Sequence, residues 1–300
     1  MTAATGEVVR RETNLRQLEL AITRRLDGML QGDNQAVLRG AGSDAGEGRA
    51  YAPGDDARRI DWNLSARMNE ISVRDTIADR ELETWLVVDA SASLDFGTAV
   101  WEKRDLAITA AAAFGLLSAK GGNRSAALIF DGETTQIIPP RTGRDAVMQL
   151  LRRLEQRPRA GERSASLAEA IRQARAAARR RGRMVVISDL IDRGPWPGEM
   201  RMAAARHELI VAEVTDPREW ELPAVGLLTM HDPETGRRIE VQTADPRLRA
   251  RFAAAAAQRR QENADAIRGA GASHLQLSTD RDWMRDLVMF ARRHHGMVRR

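Results

Sequence analysis

A three-layer α/β sandwich on a mostly parallel sheet is the fold class this sequence predicts, and three observations carry it. The runs "TWLVVDAS", "SAALIF", "RMVVIS" and "HELIVAEV" are short and continuously apolar, as strands buried on both faces must be. Segments of helical period lie between them, which is the alternation of parallel βαβ units. Two of the runs end on a carboxylate, Asp89 and Asp189, at the position where an open parallel sheet binds ligands.

The elements follow in order. Leu15, Leu18, Ile22, Leu26 and Met29 share one helical face within residues 13–31. Residues 34–54 are rich in Gly, Asp and Ala and read as loops, and one edge strand is expected within 71–79. After the first core strand, "KRDLAITAAAAFGLLSAK" aligns Leu106, Ala110, Ala113 and Leu117 on a helix. "QIIP" reads as a short strand, and helices are expected over 143–155 and 166–180. Beyond Asp216, "GLLTMHDPETGRRIEVQT" predicts a hairpin turning at "DPETG", inserted at about 224–243. A helix over about 246–269, the strand "SHLQLS" and a closing helix capped by Thr279 or Asp280 complete the chain. The later elements are expected to finish the same sheet. The division is an N-terminal extension, 1–80, and an α/β domain, 81–300.

Composition narrows the function. Charged residues make up 30% and hydrophobic residues 43%, the balance of a globular protein. No apolar run is long enough to span a bilayer, and "MTAATGEVVRRETN" lacks an apolar signal core, so the expected location is cytoplasmic. Without cysteine there are no disulfides, thiolate metal sites or thiol nucleophiles. Lys+Arg 47 against Asp+Glu 42 gives a net charge of +5. Lys103 and Lys120 are the only lysines, and arginine suits bidentate carboxylate and phosphate contacts. Aromatic residues are only 4%, too few for a base-stacking platform, so nucleic acid is not the expected partner.

The segment "DASAS" places the Ser91 and Ser93 hydroxyls beside Asp89, and Asp189 ends a neighbouring strand. Carboxylates and hydroxyls together form the all-oxygen donor set that Mg2+ prefers. "DASAS" followed by "LDFG", with "VVISDLID" about a hundred residues on, resembles the metal-ion-dependent adhesion site of von Willebrand factor A domains. The upstream "YAPGDDARRIDWNLSAR" is similar to the signature of a MoxR-associated family, domain of unknown function fifty-eight, carried here by Tyr51, Gly54, Asp55, Arg58, Asp61, Trp62 and Arg67.

The resemblance implies a von Willebrand factor A-like fold. Ser91 and Ser93 would contact a divalent cation, Mg2+ or another, and Asp89 and Asp189 would hold it directly or through water. A partner's acidic residue would complete the shell. It also implies a MoxR-type AAA+ ATPase and a protein client as partners, in protein maturation or complex assembly. The pattern's threonine falls on Ala165, with Ser164 and Ser166 on either side to supply a hydroxyl.

Other classes fit less well. A phosphatase of the haloacid dehalogenase type wants a second Asp where Ser91 stands, and a receiver domain wants a lysine at a strand end, where neither lysine is placed. The chain holds no G-x-S-x-G elbow, no P-loop and no GxGxxG, so no nucleotide is expected. His207, His231, His274, His294 and His295 lack ligand spacing. The expected class is a non-enzymatic protein-interaction module. The alternatives are a nucleic-acid binder working through its arginine clusters and a metal-dependent hydrolase using Asp89. The signature segment itself is expected to brace the domain. Ile60 and Trp62 would share a strand face, the Trp would dock, and Arg58, Asp61 and Arg67 would form a charge network.

Overall fold

The computed structural model describes residues 20, 22, 48–52, 60, 62–68, 70–74, 82–159, 161, 165–232 and 235–298. In order these form β1 (Gly48–Ala50), α1 (Trp62–Met68), β2 (Ser72–Arg74), β3 (Glu83–Asp89), α2 (Lys103–Lys120), β4 (Arg124–Phe130) and β5 (Thr135–Thr142). They continue as α3 (Arg144–Gln156), α4 (Leu167–Ala177), β6 (Gly182–Ser188), α5 (Trp196–Ala204), β7 (Glu208–Thr215), β8 (Leu227–His231), β9 (Arg238–Gln242), α6 (Pro246–Gly269), β10 (Ser273–Ser278) and α7 (Trp283–Val298).

Six strands make the central sheet in the order β10-β7-β6-β3-β4-β5. All neighbours are parallel except β5, which returns antiparallel beside β4. The sequence predicts this fold class, and the structure has it. Every residue of β3 is buried, which is why its sequence runs apolar without alternation. One face packs against α2, α3 and α7, with Leu106, Val147 and Trp283 in its core. The other packs against α4, α5 and α6, through Ile171, Met200 and Ile267. Helix α2 lies across β3, β4, β6, β7 and β10, and its Ala107, Ala110, Ala111, Ala112 and Ala113 are all buried, so a narrow apolar stripe would be the wrong pattern there.

Topology sets the site. From β3 the chain moves to β4 and β5 on one side, then returns to β6 on the other. The order therefore reverses between β3 and β6, and the carboxyl ends of these two strands border the crevice such sheets use for ligands.

Several expectations change. The β8–β9 hairpin is a separate two-stranded sheet, and of the elements beyond Asp216 only β10 joins the main one. The closing helix takes its cap from Asp282, whose carboxylate accepts the Met284 N–H at 3.0 Å, while Thr279 and Asp280 bond elsewhere. Expected strand 71–79 contributes Ser72–Arg74, paired with β1, and 75–81 lie outside the described residues. Of the expected N-terminal helix, Ile22 is helical and fully buried in the core; Leu15, Leu18, Leu26 and Met29 lie outside the described residues.

Candidate functional site at the carboxyl ends of the strands

Asp89 ends β3 opposite Phe130, and Asp189 follows β6 directly. Both are buried, as are Ser91 and Ser93. The Asp89 carboxylate accepts the Ser91 N–H at 2.9 Å and the Ser188 hydroxyl at 2.6 Å, so each oxygen has a protein donor. Ser91 and Ser93 share a hydrogen bond of 3.0 Å between their hydroxyls. Ser188 also accepts the Leu190 N–H at 3.1 Å. Leu190 has the left-handed φ of 55°, an uncommon conformation for a leucine, in the turn just beyond Asp189.

Asp189 meets a cation that belongs to the chain. The Lys103 ammonium, in a side chain only 1% exposed, donates to Asp189 at 2.7 Å and to Glu219 at 2.5 Å. Lys103 opens α2, where the helix macrodipole disfavours a positive charge, so its carboxylate partners must supply the stabilisation. Burial pulls the Lys103 pKa down, but Asp189 and then Glu219 outweigh it and leave the ammonium above its ordinary value. Glu219 is pushed up by burial, with Lys103 opposing. Asp89 rises to about 6, first through burial and then through the charge of Asp189.

The network continues through Asp216, which ends β7's apolar run as Asp89 ends β3. Its backbone N–H donates to Glu219 at 3.1 Å. Its carboxylate accepts from the Thr98 N–H at 2.8 Å, the Thr98 hydroxyl at 2.6 Å, the Thr279 hydroxyl at 2.6 Å and the Arg218 N–H at 2.9 Å. Burial raises its pKa, but the bonds from Thr279 and Thr98 dominate and hold it below the usual carboxylate range. Thr279 O accepts from Val100 and Trp101 as well. Loop 95–102 is thereby fixed from beneath, and it exposes Phe96, Val100 and Trp101.

The residues do not fit a six-coordinate divalent cation as they are arranged. Asp89 has both oxygens engaged, and Asp189 already holds an ammonium. Ala165 is buried among apolar side chains and offers no side-chain oxygen, while the Ser166 hydroxyl caps its own helix by accepting the Glu169 N–H. Ser164 lies outside the described residues. Among the described residues no group of three or more His, Asp or Glu is placed to hold a metal.

A family model described as "Protein of unknown function DUF58" matches residues 47–262. The chain belongs to this family. The DUF58 chain is 51% identical over 287 residues to uncharacterized protein Rv1480 of Mycobacterium tuberculosis and to uncharacterized protein Mb1516 of Mycobacterium bovis, covering 95% of this chain and 90% of each relative. Among solved structures it is similar to conserved hypothetical protein BatB from Bacteroides thetaiotaomicron, with a TM-score of 0.46, 15% identity, and coverage of 73% of this chain and 100% of that one. A second similar structure is the SpRpn10 VWA domain, with a TM-score of 0.34, 11% identity, and coverage of 44% and 75%.

In this DUF58 chain the signature segment differs from its expected role. Trp62 opens a helix instead of lying on a strand, and it is 70% exposed, so it does not brace the domain by burial. Arg67 is exposed as well; Gly54, Asp55, Arg58 and Asp61 lie outside the described residues. Among the described residues, backbone and hydroxyl bonds tie the segment. The Tyr51 N–H donates to Ile71 O at 2.7 Å, and the Ser72 N–H to the Ser65 hydroxyl at 2.9 Å.

Sequence reasoning brought Asp89, Ser91, Ser93 and Asp189 to one end of the sheet but missed Lys103, Ser188, Asp216 and Glu219. Lys103 carried a signal: it is one of two lysines in an arginine-rich chain, at the head of an apolar helix. Asp216 carried another, as a third carboxylate closing a core strand.

Proposed function

We propose that this chain is a non-enzymatic protein-interaction module that docks its partner on loop 95–102, above the carboxyl ends of β3 and β6. Its partner on this reading is a MoxR-type AAA+ ATPase, acting with it on a protein client in maturation or complex assembly. The observation that carries the reading is the pairing of an exposed apolar rim, Phe96, Val100 and Trp101, with a buried polar network that holds it still. A pre-ordered loop loses little freedom on association, which favours affinity. Large aromatic side chains at the centre of an interface supply much of its energy. The non-catalytic reading draws support from Asp89, whose oxygens both accept protein donors.

Binding to the purified ATPase tests this. Val100→Asp and Trp101→Asp should each weaken binding at least about tenfold, as loss of an interface anchor does. Val100 is 78% exposed, so the melting temperature of Val100→Asp should hold, whereas Trp101 is 37% exposed and its variant should melt lower. Wild-type affinity in both variants would refute loop 95–102 as the docking surface.

A further inference from the structure

We propose that the Lys103 ammonium is the permanent cation of the strand-end site, occupying the role of a divalent metal and excluding one. This deepens the docking reading by removing any metal bridge from it, and its test reads no partner binding, so the two stand or fall separately.

Charge and geometry carry it. Asp189 directly follows the strand next to β3, where a metal-binding version of such a site would need a free carboxylate oxygen. Asp189 Oδ2 instead accepts the ammonium at 2.7 Å, and Oδ1 accepts the Ile191 N–H at 3.3 Å. Glu219 Oε1 accepts the same ammonium at 2.5 Å, while its Oε2 accepts the Asp216 N–H at 3.1 Å. Each of the four oxygens of the two carboxylates thus already accepts one protein donor, and two of them share the ammonium. Across the crevice the Asp89 carboxylate likewise accepts from Ser91 and Ser188, one donor on each oxygen. An ion brought to Asp189 would sit against a fixed positive charge in a water-poor site, where repulsion is strong. The Lys103 stem has little room to withdraw, since its side chain is 1% exposed and its Nζ lies 5.9 Å from the Phe96 ring centroid.

The lysine count makes the test direct. With only Lys103 and Lys120 in the chain, protein labelled with 15N-lysine has two ammonium groups. A buried, doubly paired ammonium exchanges its protons slowly with water. One protected signal is therefore expected near neutral pH, retained in Lys120→Arg and unmoved by millimolar Mg2+. A saturable shift of that signal with Mg2+, or one equivalent of Mn2+ bound by the wild-type protein in calorimetric titration, would overturn the proposal. The reciprocal variant is Lys103→Met. It leaves Asp189 and Glu219 without their cation and should gain saturable Mn2+ binding that raises its melting temperature. A folded Lys103→Met protein that takes up no Mn2+ would overturn the idea that the lysine holds a cation's place. The wild-type titration decides the matter even where Lys103→Met does not fold.

Discussion

Lys103 and Asp89 lie in one crevice and both hold their proton more tightly in the folded state, in separate pH windows. The Asp89 pKa rises from 3.8 to about 6 on folding, because burial and the charge of Asp189 disfavour its ionised form. The folded state therefore holds that proton more tightly than the unfolded chain does. The stability Asp89 contributes is complete below pH 3.8 and is lost as pH climbs through about 6. Asp89→Asn keeps an acceptor for Ser91 or Ser188 and removes the charge. It should be more stable than wild type at pH 8, by about 1–3 kcal/mol in urea unfolding, with the gain gone at pH 4. A gain of equal size at both pH values would contradict the buried-charge account. Lys103→Met should cost about 3–5 kcal/mol at pH 8, since it strands the buried Asp189 and the partly buried Glu219, and less in acid, where they take up protons.

Among the elements, loop 95–102 is the proposed docking surface, and backbone packing holds it in shape. A Cβ on Gly97 would stand 2.5 Å from Trp101 O and 2.6 Å from the Glu102 Cα, neither of which can swing aside. Gly97→Ala should therefore distort the loop, lowering stability by about 1–3 kcal/mol and weakening partner binding without touching an anchor side chain. Asp216→Ala removes the acceptor for four donors and should cost about 2–4 kcal/mol. Helix α1 behaves differently. Trp62 is exposed, so Trp62→Ala should change stability by less than about 0.5 kcal/mol, readable as an unchanged melting curve.

At the scale of the whole molecule, the core strands were legible because burial on both faces leaves an unbroken apolar run. Strand ends were legible because such runs stop at Asp89 and Asp189. The antiparallel return of β5 was not, since pairing direction leaves no mark on a mostly exposed strand such as "QIIPP". Nor was the isolation of the β8–β9 hairpin, whose alternating pattern serves equally in a sheet edge or alone. The Lys103 pairing joins residues 86 and 116 positions apart, beyond the reach of any local pattern. Surface arginines are spent partly in ion pairs, such as Arg183 with Glu208 at 2.9 Å and Arg159 with Glu102 at 3.1 Å. This lowers the free positive charge that a nucleic-acid reading would draw on.

The docking claim is tested most directly by hydrogen–deuterium exchange of the full chain, alone and saturated with the MoxR-type ATPase. The account predicts slowed exchange concentrated in loop 95–102. Protection confined to α6 or the N-terminal segment, with loop 95–102 unchanged, would contradict it.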